Sequence, residues 1–134
     1  MEKVSWSDIG FTAGESTHLD SFRRNGDALP FAQELATWRQ WVVEVERGEL
    51  LTLDEFESAY SMRDDVDASF RALESSLRGR LYPVLDDLDF RYRDSTVPGS
   101  LPVAAPSNSP WWWSRVPIRN AARAFLDEDI DARR

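Results

Sequence analysis

Apolar residues recur at helical spacing through the middle of this chain. Between Pro30 and Arg47, Phe31, Leu35, Trp38, Val42 and Val45 follow at intervals of four, three, four and three, which puts them on one stripe of an α-helix. Pro30 suits the first turn, where a missing N–H costs nothing, and Gly48 follows Arg47 as helix ends favour. A second, shorter helix is predicted from Thr52. Thr52-Leu53-Asp54-Glu55 is a capping box, and Leu53, Phe56 and Tyr60 form the apolar stripe. A third, the longest, starts near Asp65 and aligns Val66, Phe70, Leu73, Leu77, Leu81, Val84 or Leu85, and Leu88. Pro83 lies inside it and its ring opposes the Gly79 carbonyl, so a kink or break is expected there.

The flanks are less regular. Residues 1–28 hold Gly10, Gly14 and Gly26 between short apolar pieces, and Ser5-Trp6-Ser7-Asp8 and Thr17-His18-Leu19-Asp20 resemble capping boxes, predicting short helical turns. After Asp94, Pro98, Pro102, Pro106 and Pro110 recur every four residues. They predict an extended strap, about 37 Å long if polyproline-like, that returns the chain to the bundle. A last helix is expected from Pro117, with Ile118, Ala121, Ala122 and Phe125 inward. Asp127, Glu128 and Asp129 at its negative end should fray it. No strand alternation extends beyond VPGSLPV, and no repeat is present. The pattern thus predicts an all-α fold in one domain, 1–134: an irregular segment 1–28, a helical core 29–94, a Pro/Ser-rich strap 95–110, and a Trp cluster with C-terminal helix 111–134. The architecture expected is a small helical bundle of three main helices plus the Pro-rich extended strap and the C-terminal helix.

Composition narrows the function classes. The 134 residues suffice to bury a core. Without cysteine, disulfides, thiolate nucleophiles and iron–sulfur clusters are excluded. A net charge of −8 opposes binding to nucleic acid and to anionic membrane surfaces. Lys3 is the lone lysine among 16 basic residues, a bias that fits a GC-rich bacterial genome. No basic-then-apolar leader and no long apolar run is present, so the chain is expected to be cytoplasmic. The charge is uneven: residues 29–62 carry seven carboxylates against two arginines, and residues 95–134 four against five.

Candidate chemistry is sparse. His18 is the only histidine, which rules out a histidine-based metal site or triad, and the six glycines never take the spacing of a phosphate-binding loop. Asp64, Asp65 and Asp67 suit the positive end of the third helix. Asp86-Asp87-Leu88-Asp89 has the spacing of a magnesium–diphosphate motif without the second acidic group, and Asp127, Asp129 and Asp131 begin like a calcium loop that lacks its glycine and glutamate. Phe90-Arg91-Tyr92-Arg93-Asp94 mixes aromatics and arginines in a way that suits base stacking, but the surrounding acids cancel it. Arg91 and Arg93 are expected to pair with them and Phe90 to pack inward. Neither a catalytic set nor a cofactor is implied.

Trp111-Trp112-Trp113, between Pro110 and Arg115, remains. No helix or strand points three successive side chains one way. Two indoles could seal the bundle under Arg115, or a proline-stiffened loop presents an aromatic anchor to another protein. Taken with the acidity, this predicts a non-catalytic protein-binding module with the character of an immunity protein, antitoxin or inhibitor. Its partner would be a protein with a basic surface, with Trp111, Trp112, Trp113 and Arg115 as anchor and Glu44, Glu46, Glu49, Asp54 and Glu57 as steering charges. The alternative is a structural or assembly component, a homo-oligomer or particle subunit whose Trp strap packs on a neighbouring copy.

Overall fold

Buried apolar stripes at helical spacing build a mostly helical molecule of the all-α class. The computed structural model describes residues 4–118 and 120–134; Lys3 and Arg119, counted in the charges above, lie outside them. Among these residues the α-helices are α1 (Ala13–Ser21), α2 (Phe31–Glu46), α3 (Leu53–Ala72), α4 (Ser75–Asp94) and α5 (Ala121–Ala132). Two short strands, β1 (Thr96–Pro98) and β2 (Arg115–Pro117), pair antiparallel with Val97 opposite Val116.

The stripe of α2 is buried throughout: Phe31, Leu35, Trp38, Val42 and Val45 all lie in the core. Its end is a Schellman motif, with Gly48 at φ +67°, Gly48 N–H donating to Val45 and Glu49 N–H to Glu44. The Thr52 capping box that opens α3 is also formed. Thr52 Oγ1 accepts from Glu55 N–H at 3.2 Å, and the Glu55 carboxylate accepts from Thr52 N–H at 3.0 Å. At α1 the box belongs to Thr12 and Glu15, not to Ser5 or Thr17. Ser7–Ile9 forms a single 3-10 turn.

Three boundaries differ from the sequence expectation. α3 does not end near Tyr60 but runs through Asp65 to Ala72, and the chain breaks at Leu73 and Glu74, both extended. Asp64 and Asp65 hold distant partners instead of a helix terminus. Helix α4 then continues through Pro83. Pro83 and Gly79 are both exposed, so water can supply the donor that proline lacks. α5 starts at Ala121, capped by Asn120 Oδ1 on Arg123 N–H at 3.2 Å, because Pro117 belongs to β2. Its buried stripe is Ala122, Leu126 and Ile130, while Ile118 and Ala121 are exposed and Phe125 is half-buried. The tail is tied: Arg133 bonds Asp129 at 3.1 Å and forks onto Asp54 at 3.0 and 3.2 Å, and Asp129 also accepts from the Leu53 N–H that opens α3.

One cluster of buried residues extends from Trp6 to Ile130. At its centre the Trp38 and Tyr92 rings lie 5.0 Å apart, and Tyr60 and Trp113 lie 5.1 Å apart. Beside it, buried Glu34 accepts from Ser69 Oγ and from Arg24 Nη1 at 2.6 Å, and Arg24 also bonds Asp65, joining α2 to α3. Gly99 is required by close approach: a Cβ there would sit 2.7 Å from Val116 Cγ2.

Two tyrosines should respond oppositely to loss of the hydroxyl. Tyr60 donates to the Arg115 carbonyl, whereas the buried Tyr92 hydroxyl has no partner among the described residues. In urea denaturation Tyr60→Phe should cost about 1 kcal/mol, and Tyr92→Phe should leave stability unchanged or raised. Burial pushes the Glu34 carboxyl above its ordinary value of 4.5, opposed by the bonds from Ser69 and Arg24. A raised folded-state pKa gives stability that is complete below 4.5 and lost as pH rises through the folded value. A carboxyl NMR titration should therefore find the Glu34 midpoint above 4.5, and higher still in Arg24→Gln.

Candidate functional site

The three tryptophans lie on one 3-10 turn, Trp111–Ser114, opened by extended Pro110. A 3-10 turn rotates about 120° per residue, so the indoles diverge, yet two of them reach one acceptor. Trp112 Nε1 donates to Asp64 Oδ1 at 2.8 Å, and Trp113 Nε1 lies 3.0 Å from both Asp64 oxygens. Beneath Trp112 the Arg63 guanidinium stands 4.2 Å from the ring centroid. Arg63 Nε and Nη2 fork onto Asp89 of α4 at 2.9 and 2.8 Å. Arg63 and Asp64, neighbours on α3, thus hold both α4 and the tryptophan turn.

Trp112 and Trp113 are buried, so the expectation that all three indoles could anchor a partner is corrected. Arg115 is also spent within the fold. Its Nε donates to Thr96 Oγ1 at 3.0 Å, and its Nη2 to the Arg93 and Thr96 carbonyls at 2.7 and 2.6 Å, where a cation suits the end of α4. Only Trp111 reaches the surface, half-buried. It packs on Tyr92 at 6.1 Å and edge-on to Trp112 at 5.6 Å, and the Arg93 guanidinium stacks over it at 3.9 Å.

The acidic set divides as well. Glu46 pairs with Arg91 at 2.6 Å, which holds its carboxyl below the ordinary range, and Asp54 pairs with Arg133. Glu44 is half-buried and accepts from Gln40 at 3.4 Å. Glu49 and Glu57 are exposed. Contrary to expectation, Phe90 points outward, 65% exposed, and Tyr92 takes the inward position. Arg93 stacks on Trp111 and pairs with no acid among the described residues.

A feature the sequence reading passed over emerges beside Trp111. A groove of about 250 Å³ runs between α3 and α4. The α3 wall carries Arg63, Asp67 and Phe70; the α4 wall carries Tyr82, Leu85, Asp86, Asp89 and Arg93; Trp111 also lines it. Tyr82 is 59% exposed. The signal was present in the sequence: Tyr82, Asp86 and Phe90 are four residues apart and off the leucine stripe, so they form an outward row on α4. Among the described residues no cluster of three histidine or carboxylate side chains is arranged for a metal ion, and no helix is long and apolar enough to cross a membrane. Compared with protein-family models, curated proteins and solved structures, the chain matches none.

Removing the shared acceptor should loosen the whole arrangement. Asp64→Ala leaves two indole N–H groups without a partner and should cost about 3 kcal/mol in urea denaturation, whereas Asp64→Asn keeps one acceptor oxygen and should cost about half as much. Equal stability of Asp64→Ala and wild type would dissociate the tryptophan turn from α3.

Proposed function

We propose that this chain is a non-catalytic protein-binding module, of the general character of an immunity protein, antitoxin or inhibitor, that covers a basic surface on a protein partner. The observation that carries the reading is the outward row on α4. Two aromatic side chains, Tyr82 and Phe90, stand more than half exposed on α4, four residues either side of Asp86, and Tyr82 and Asp86 line the same groove as Trp111 and Arg93. Aromatic residues and arginine are the groups that protein interfaces enrich and that dominate binding energy. The net charge of −8 supplies long-range attraction to a basic partner. Glu44, Glu49 and Glu57 contribute to it, while Glu46 and Asp54 are held by arginines of the same chain. The anchor of this reading is therefore α4 with Trp111, in place of the whole tryptophan triplet.

Capture from a native lysate tests it, with wild type beside the double variant Tyr82→Ala, Phe90→Ala, and circular dichroism confirming that both fold. The wild type should retain one partner at low salt and release it as salt rises. The double variant should bind it about thirtyfold more weakly, since truncating interface anchors typically costs about 2 kcal/mol. Equal retention by both proteins overturns the reading. Recovery of the chain's own copies alone, with a mass that rises with concentration, would instead identify an assembly subunit.

A further inference from the structure

We propose that the proline-rich segment between β1 and the tryptophan turn is a processing site, where an endopeptidase selective for small uncharged side chains cuts the folded chain and leaves the two pieces together, held through Asp64. Residues 104–109 are all exposed, the longest such run among the described residues. They are Ala104, Ala105, Pro106, Ser107, Asn108 and Ser109, and no charged side chain occurs between Asp94 and Arg115. Exposed stretches of small and polar residues are where nicking concentrates. A peptidase must also draw the backbone into its cleft, so the bonds that tie it down matter as much as exposure. Among the described residues those of 102–109 are all local: Val103 N–H to the Leu101 carbonyl at 2.8 Å, Ala105 N–H to the Val103 carbonyl at 3.0 Å, and Ser109 Oγ to the Pro106 carbonyl. Opening this stretch disturbs no helix or strand, and cleavage follows the population of the open form.

The connection between α1 and α2 is pinned by contrast. Arg23 donates to the Ala28 carbonyl at 3.0 Å, Asn25 Oδ1 accepts from the Asp27 and Ala28 N–H groups at 3.0 and 2.9 Å, and Arg24 is bound to Glu34 and Asp65. Within 104–109 the bond before Pro106 is disfavoured, since proline brings a fixed φ and no N–H. The Ala104–Ala105 bond has a small side chain on either side. Its hydrolysis adds one water, leaving a carboxylate on Ala104 and an ammonium on Ala105. Neither flank depends on the cut bond. Ahead of it Leu101 is buried, Gly99 N–H donates to the Ser114 carbonyl at 3.0 Å, and β1 pairs with β2. Beyond it Trp112 and Trp113 donate to Asp64, Tyr60 donates to the Arg115 carbonyl, and Asp129 and Arg133 bond Leu53 and Asp54 of α3. Val116, Leu126 and Ile130 bury apolar surface in the same piece. Charge favours the association as well, because residues 105–134 carry one net positive charge and residues 1–104 nine net negative ones.

Limited digestion of the folded chain tests this, with elastase, whose specificity pocket is small, and with subtilisin, which accepts most side chains. Mass spectrometry should place the first elastase cut after Ala104 and the first subtilisin cut within 102–109. The cut chain should elute from a sizing column at the position of the intact protein, with an unchanged helical circular dichroism spectrum. Asp64→Asn, cut in the same way, should hold its second piece about tenfold more weakly on dilution, as loss of one hydrogen bond to a charged group does. A first cut outside 102–109 by either enzyme, or wild-type pieces that separate or lose helix on cutting, overturns the proposal. Equal retention by Asp64→Asn and wild type removes Asp64 as the holding group and overturns it too.

Discussion

Two adjacent indoles bring their N–H groups to the Asp64 carboxylate, and that convergence fastens the tryptophan turn and the strand that follows it to α3. Three consecutive tryptophans are a folding difficulty, since no regular element buries all of them on one side. The 3-10 turn resolves it by spreading the indoles, and Asp64 supplies polar partners to the two that become buried. With Trp112 and Trp113 held, Arg115 falls where it can close the end of α4 and bond Thr96, and β2 lies against β1. Tyr60 completes the attachment from α3 by donating to the Arg115 carbonyl. The chain beyond Pro110 is thus fastened to α3 and α4 by directional bonds to specific atoms, which burial of apolar surface alone would not specify.

The same turn of α3 bears the main electrostatic cost. Arg63 and Asp89 are both buried, and removing two charges from water costs several kcal/mol per ion before their attraction offsets it. A forked pair with bonds of 2.8 and 2.9 Å recovers much of that, and the Trp112 face recovers more. What the arrangement adds is register. Arg63 can fork onto Asp89 only when α3 and α4 stand in one alignment, and that alignment fixes which residues of each helix wall the groove. The one unsatisfied nitrogen of Arg63 is left at the same place.

Local rules recovered the helices whose signals are local. The α2 stripe, the Gly48 termination and the Thr52 capping box are each written within a few residues, and each formed. The leucine register of α4 was equally legible: Leu77, Leu81, Leu85 and Leu88 are all buried, as are Val66 on α3 and Leu73 at the break between the two helices. The α3 boundary was not. Asp64, Asp65 and Asp67 look like a helix start because acids favour that end, yet Asp64 and Asp65 are occupied by tryptophans about fifty residues on and by Arg24 some forty residues back. Nothing nearby in the chain discloses such partners. The tail was misread for the same reason: Asp129 opposes its own helix dipole but serves the first N–H of α3. Of the candidate site, Trp111 and its arginine neighbour Arg93 lay in segments singled out from the sequence, while the groove walls depend on two helices being laid side by side.

The distribution of arginine decides which carboxylates stay unpaired. Acidic residues outnumber basic ones by 24 to 16, and the fold spends arginines on its own carboxylates: Arg24 on Glu34 and Asp65, Arg63 on Asp89, Arg91 on Glu46, Arg133 on Asp54. The excess acids are left facing water, where they attract a basic surface from about a Debye length of roughly 8 Å at physiological salt. Attraction at that range does not select a partner; contact does. On α4 two exposed aromatic rings, Tyr82 and Phe90, stand four residues either side of Asp86, which has no ion-pair partner among the described residues. Excess negative charge thus spreads over much of the surface, while the exposed aromatic row is confined to α4, whose alignment with α3 is set by the Arg63 and Asp89 pair.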